Sequence, residues 1–235
     1  LFLYTVFGCL LLSLPFLHKA ESAFIDHLFI STSAISTTGL VTMSIADNYN
    51  FFGQFLVMCL FQIGGIGYMT LTTYYLLYTT NHITTWHQKL IGAAFTMPRT
   101  IRVKDFIKSV IWFTLVMEVL GALGFFFVFL GDEMGTLQAL WHASFHSVSA
   151  FCTAGFSLFN DSFVSYQDHY FVNILISILA ISGSLGFIVI TDVWYRIAKK
   201  SDCLSFTTKI VLWGFGILLG GGTTVIYFTE PEVRG

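Results

Sequence analysis

The chain has 235 residues, of which 55% are hydrophobic and 10% charged, and its mean hydropathy is +0.77, whereas an ordinary soluble domain carries roughly 25% charged residues. That balance excludes a water-solvated globular core, and a net charge of −2 excludes the basic surface that a nucleic-acid partner would require. Of the four cysteines, Cys9 and Cys59 lie in apolar runs, Cys152 follows a Ser-Ala-Phe stretch and Cys203 sits in a basic loop, a distribution that forms neither a disulfide framework nor a zinc site.

Leu1 opens directly into an apolar segment without an initiator methionine or a basic leader, which reads against an intact signal peptide at this end and suggests that the true N-terminus lies upstream. Apolar runs long enough to cross a hydrocarbon core of roughly 30 Å follow in order. They predict spanning helices near Leu1 to Leu17, Phe51 to Tyr78, Phe106 to Leu130, Tyr170 to Ile197 and Lys209 to Phe228. Two further apolar segments, Ala23 to Thr37 and Leu137 to Cys152, are too short and too rich in Ser and Thr to span, and they read as re-entrant half-helices. The expected fold is all-α integral membrane, with about five transmembrane helices and two pore half-helices.

An internal repeat organises these elements. Ser-Ala-Ile-Ser-Thr-Thr-Gly-Leu (Ser33 to Leu40) recurs as Ser-Ala-Phe-Cys-Thr-Ala-Gly-Phe (Ser149 to Phe156), which puts Gly39 and Gly155 116 residues apart. Each copy follows one long apolar helix and precedes another, so the unit is helix, half-helix, glycine turn, helix. The expected layout is a first unit over 1–80, a cytoplasmic linker over 81–105, a second unit over 106–200, and over 201–235 the first helix of a third. Nine of the eleven Lys and Arg residues fall in the two inter-unit loops: Lys89, Arg99, Arg102, Lys104 and Lys108 in one, Arg196, Lys199, Lys200 and Lys209 in the other. Glu21, Asp26, Asp47, Asp132, Glu133, Asp161 and Asp168 lie on the opposite side, which the positive-inside rule turns outward.

Non-helical backbone at membrane depth must be buried in protein or line water. Two such breaks at matched positions imply one shared cavity, with the negative dipole ends of both half-helices, about half an elementary charge each, aimed into it. Extended backbone at Ser36, Thr37, Thr38 and Gly39, and at Cys152, Thr153, Ala154 and Gly155, is expected to present carbonyl oxygens to a dehydrated monovalent cation. Glu118, in the middle of an apolar helix, is either a functional carboxylate or the partner of a structural hydrogen bond to a neighbouring helix or half-helix. Asp47, Asp161 and Asp168 either concentrate cations at the outer mouth or are simply solvated.

Two other classes remain open. His82 and His87 have H-x4-H spacing, and His142 and His146 have H-x3-H, patterns similar to membrane di-iron oxygenases, whose sites need many His ligands on one face. Topology separates the two pairs, one inside and one outside, which disfavours that enzyme. A structural or assembly protein that only packs against a partner is the other. No catalytic nucleophile or phosphate-binding loop is visible, so no enzymatic activity and no organic cofactor are expected.

Ser33 to Val41, with Phe52-Gly-Gln54 and Gln62-Ile-Gly-Gly-Ile-Gly-Tyr-Met-Thr70, resembles the first filter and inner helix of Ktr-type membrane subunits of the Trk/Ktr/HKT superfamily of potassium transporters. Phe145-His-Ser-Val-Ser-Ala-Phe-Cys-Thr-Ala-Gly-Phe156 is similar to the second pore loop of that family, where Asn commonly stands at the positions of Cys152 and Thr153. Thr208-Lys-Ile-Val-Leu-Trp213 looks like the start of the third repeat. The resemblance implies an N-terminal half of a four-repeat polypeptide in the plasma or inner membrane, with two filter loops and the gate outside this sequence. It implies K+ as the transported ion, Na+ dependence as an open variant, a homodimer, and a cytoplasmic ring of nucleotide-binding regulatory subunits. In the plant branch a serine at the first filter glycine accompanies sodium preference, so Gly39 and Gly155 favour potassium.

Overall fold

The computed structural model describes residues 2–67, 103–132, 134–197 and 203–230. Among these every regular element is helical, as backbone in lipid must be when each N–H and C=O has to find its partner within its own segment. α1 (Phe2–Leu12) stops short of the expected Leu17, because Pro15 lacks an amide hydrogen and opens a 3-10 turn over Pro15–Leu17 instead. α2 (Phe24–Ile35) begins where the Asp26 carboxylate accepts from the Ala23 amide at 3.2 Å. α3 (Ile45–Asn48) is capped by the Ser44 hydroxyl, which accepts from the Asp47 amide. α4 (Phe51–Ile66) is capped by Asn50 and ends at Gly67, whose φ is +83°.

The second half repeats the order at greater length. α5 (Val103–Gly131) is followed by α6 (Thr136–Phe151), α7 (Tyr170–Ser184), α8 (Phe187–Ile197) and α9 (Phe206–Thr229). α1, α2 and α4 pack on one another, as do α5, α6 and α7, and α4 joins the two groups by lying against α6. The larger core runs along this seam, with Ile30, Ala34, Val57, Phe61, Phe145, Phe151 and Phe156 all buried. Lipid tails are as apolar as leucine, so what selects this arrangement is close packing and interhelical hydrogen bonding rather than water exclusion.

Tyr170 to Ile197, expected as one span, is instead two helices meeting at 96°. Gly186 supplies the break with φ +83°, a left-handed conformation that a residue carrying Cβ adopts only at a cost. Phe106–Gly131 and Phe206–Thr229 are each long and apolar enough to cross a membrane, the bent pair would make a third span, and Phe2–Leu12 and Phe51–Ile66 are shorter apolar helices. The remainder of the expected Phe51 to Tyr78 helix lies outside the described residues. α9 is predominantly apolar and is held to α8 by Asp192, whose carboxylate accepts from the Ser205 amide at 2.7 Å.

Candidate functional site

α2 and α6 end in the same way. In the first, the Thr38 amide donates to Ser33 O at 2.9 Å and the Thr37 amide to Ala34 O at 3.1 Å; in the second, the Ala154 amide donates to Ser149 O at 2.8 Å and the Thr153 amide to Ala150 O at 3.1 Å. This is the Schellman pair of bonds, in which a left-handed residue reverses the chain just past a helix. The left-handed residue is Thr37 in one copy and Thr153 in the other, each with φ of 50°. A β-branched residue there is unusual and costs on the order of 1–2 kcal/mol. Part of that cost is offset locally, since the Thr37 hydroxyl donates to Ser36 O at 2.8 Å and the Thr153 hydroxyl to Cys152 O at 2.7 Å.

The backbone of these stretches differs from the extended form expected of them. Ser36 and Cys152 are right-handed, with φ of −83° and −72°. Thr37 and Thr153 are left-handed, Thr38 and Ala154 are not among the positive-φ residues, and Gly39 and Gly155 return to φ of +79° and +72°. Helix capping explains the departure, because Ser36 and Cys152 still close the last turns of α2 and α6.

Both stretches meet at their glycines. A Cβ on Gly39 would lie 2.5 Å from the Ala154 carbonyl oxygen, and one on Gly155 would lie 3.3 Å from the Gly39 Cα. Two helix C-termini with their partial negative charges therefore converge on one point of glycine backbone. Behind them, matched glycines let the following helices approach: a Cβ on Gly64 of α4 would lie 2.3 Å from Ile35 O, and one on Gly183 of α7 would lie 1.8 Å from Phe151 O.

The side chains that hold the two turns are different. The Ser36 hydroxyl bonds within its own turn, donating toward Thr32 O at 2.7 Å and pairing with the Thr38 hydroxyl at 2.7 Å. Cys152 instead reaches out of its turn, its thiol donating to Oε1 of Gln62 on α4 at 3.2 Å. Gln62 Nε2 in turn donates to Oε1 of Glu118 on α5 at 2.6 Å. Of the two readings of Glu118 the structure thus supplies the hydrogen bond to a neighbouring helix.

On the side of the turns reached by Leu40 and Phe156, Ser44 and Asn160, again 116 residues apart, are joined at 2.6 Å, and Asn160 Nδ2 donates to the Asp47 carboxylate at 2.9 Å. Asp47 and Asp161 share a polar cleft of about 410 Å3 with Lys19, Gln138, His142 and Asn160. Lys19 dilutes the acidic character of that cleft, its ammonium donating to Ala46 O at 2.8 Å.

Comparison with known proteins fixes the family. The family of cation transport proteins called TrkH matches residues 5–232. The chain belongs to the TrkH family. It is 37% identical over 97% of its length to the Ktr system potassium uptake protein B of Vibrio alginolyticus, of which it covers 50%. It is 34% identical over 97% of its length to the potassium/sodium uptake protein NtpJ of Enterococcus hirae, covering 51% of that protein. A Ktr system potassium uptake protein B of Bacillus subtilis is 33% identical over the whole chain, which covers 52% of it. The chain spans about half the length of the curated relatives it matches.

Membership in a family of cation transport proteins speaks against the oxygenase alternative. His82 and His87 lie outside the described residues. His146 is buried with Nδ1 against His142 O at 2.8 Å and Nε2 taken by the Leu158 amide and the Ser157 hydroxyl, so neither ring nitrogen is left for a metal. Among the described residues no group of three or more His, Cys, Asp or Glu is placed to hold a metal ion. Sequence reasoning missed Gln62, Ser44 and Asn160. Ordinary polar residues carry no signal of their own; only the 116-residue offset of Ser44 and Asn160 was there to be noticed.

Proposed function

We propose that this chain forms the ion-conducting N-terminal half of a potassium uptake protein, in which Ser36 to Gly39 and Cys152 to Gly155 are two re-entrant pore loops. Their backbone carbonyls replace the water shell of K+, and the protein offers a passive path rather than a reaction. The observation that carries this reading is the pair of matched turns, each with a left-handed Thr and a positive-φ Gly two residues on, that meet glycine to glycine at two helix C-termini. A dehydrated cation needs several oxygens turned to one side, and few other uses account for two β-branched residues in left-handed backbone at equivalent positions.

In this reading residues 1–80 and 106–200 are the two helix, pore-loop, helix units, 81–105 is a cytoplasmic linker and 201–235 begins a third unit. Basic inter-unit loops face the cytoplasm and the cleft with Asp47 and Asp161 faces outward, in a multi-pass protein of the cell membrane. The relatives are named for potassium uptake and, in one case, for potassium and sodium. Potassium is therefore the proposed cargo, with Na+ as its closest competitor or coupling ion. The resemblance to Ktr-type subunits motivates a homodimer and a cytoplasmic nucleotide-binding regulatory subunit as proposed partners.

Gly39→Ser tests the site. A side chain at 39 points at the Ala154 carbonyl, where it displaces one filter oxygen and intrudes on the ion path. In the full-length protein the K+-over-Na+ discrimination in uptake should fall about tenfold, ~1.4 kcal/mol. Unchanged discrimination in a protein that still accumulates would remove Gly39 from the ion path.

A further inference from the structure

The two turns share a backbone but not a support. In the first, Ser36 is held by Thr32 O and by the Thr38 hydroxyl, both within five residues of chain. In the second, the residue at the same place, Cys152, is 5% exposed and sends its thiol out to Gln62, 90 residues away on α4.

Gln62 has two ways to orient its amide, and Glu118 decides between them. With Nε2 toward the Glu118 carboxylate, Oε1 necessarily faces the Cys152 thiol; flipped, an oxygen would face an oxygen and the thiol would lose its acceptor. Glu118 sits in the middle of α5 and is 8% exposed. α5 is tied to α6 just before the turn, the Ser147 hydroxyl donating to the Glu118 carbonyl at 2.7 Å. The thiol packs against α4 at Gly65, where an added Cβ would lie 2.6 Å from Cys152 Sγ. Glu118, Gln62 and Cys152 thus form one chain of hydrogen bonds from the outer helix of the second unit, through the inner helix of the first, to the second turn.

We infer that Gln62, oriented by Glu118, is a positioning residue that sets the backbone of the second loop and through it the ion discrimination of the pore. This rests on the ion-path reading of the two loops. The first unit's inner helix thereby governs the second unit's filter, while the first filter governs itself.

The test uses the full-length protein, with K+ uptake measured against competing Na+. Gln62→Leu should lower K+-over-Na+ discrimination at least fivefold, and Glu118→Leu should do the same. Glu118→Gln, whose amide oxygen still accepts from Gln62, should stay within twofold of the wild type. In a Cys152→Ala background, adding Gln62→Leu should change discrimination by less than twofold, since the path is already cut.

Discrimination within twofold of wild type in Gln62→Leu, or a full effect persisting in the Cys152→Ala background, overturns the inference. A wild-type protein that does not discriminate K+ from Na+ instead overturns the ion-path reading, so the two failures are distinguishable. A second measurement covers variants that fail in transport: in detergent-purified protein, alkylation of Cys152 read by peptide mass mapping should speed up at least threefold in Gln62→Leu and remain near the wild-type rate in Glu118→Gln. Equal rates in all three proteins would also sink it.

Discussion

The turn after α2 and the turn after α6 share the same backbone hydrogen bonds and the same positive-φ positions, yet one is held by its own hydroxyls and the other by a distant helix. The shared part, the Schellman bonds with left-handed Thr37 and Thr153, is encoded by the short repeated segment itself. The divergent part sits at a single position, Ser36 against Cys152. A serine hydroxyl is short and a strong donor and acceptor, so it satisfies the last helical carbonyls on the spot. A thiol is a weak donor, and here it takes an acceptor from outside. The two turns thus share a backbone arrangement while one support is local and the other interhelical.

The shared part gives the largest expected effect. Gly64→Ala and Gly183→Ala each drive a methyl into a backbone carbonyl, of Ile35 and Phe151 respectively, which cannot yield without moving the helix end that carries the turn. Each should destabilise the full-length protein by about 3 kcal/mol or more, with Gly183→Ala the worse because its carbonyl stands at 1.8 Å rather than 2.3 Å. Thermal unfolding in detergent measures it. Tolerance of alanine at one site and not the other would break the claim that the two units are built alike.

A smaller effect separates the two supports. Ser36→Ala removes hydrogen bonds at 2.7 Å to both Thr32 O and the Thr38 hydroxyl. The expected cost is about 1–2 kcal/mol, with roughly threefold weaker K+-over-Na+ discrimination. Because Ser36 and Gln62 act on different loops, their free-energy effects should add to within about 0.5 kcal/mol in the double variant. A large interaction term between them would show the two supports to be one.

How much of this was legible in the sequence follows from the range of each interaction. Helical, membrane-embedded character is written in apolar runs that any 20-residue window detects, and the ends of α2 and α6 fall at the repeated Ser-Ala segments. The bend at Gly186 was not legible, since Leu185-Gly186-Phe187 lies within a continuous apolar run and glycines are common in membrane helices for packing reasons as well. The left-handed residues in the turns were missed because a β-branched Thr at 37 and 153 argues locally for strand. Glu118 stood out because a carboxylate is costly in an apolar helix, but its partner Gln62 lies 56 residues away, beyond any periodicity.

The smallest expected effect lies in the segment following the second turn, where Asp161 holds Ser165. Its carboxylate accepts from the Ser165 hydroxyl and from the Ser165 amide at 3.1 Å. The hydroxyl bond is the main reason its pKa is held below the ordinary carboxylate value, with backbone bonds adding to it and slight desolvation opposing. A lowered folded-state value means that the charged form contributes stability above the unfolded value of about 4, and that this contribution is lost as pH falls through the folded value. Ser165→Ala removes the leading cause, so the variant should melt slightly below the wild type at pH 7, and the gap should close on acidification past that range. A gap of the same size at pH 7 and pH 3 would mean that Ser165 holds this flank as a neutral hydrogen-bond partner, and that the second turn owes nothing to the charge beside it.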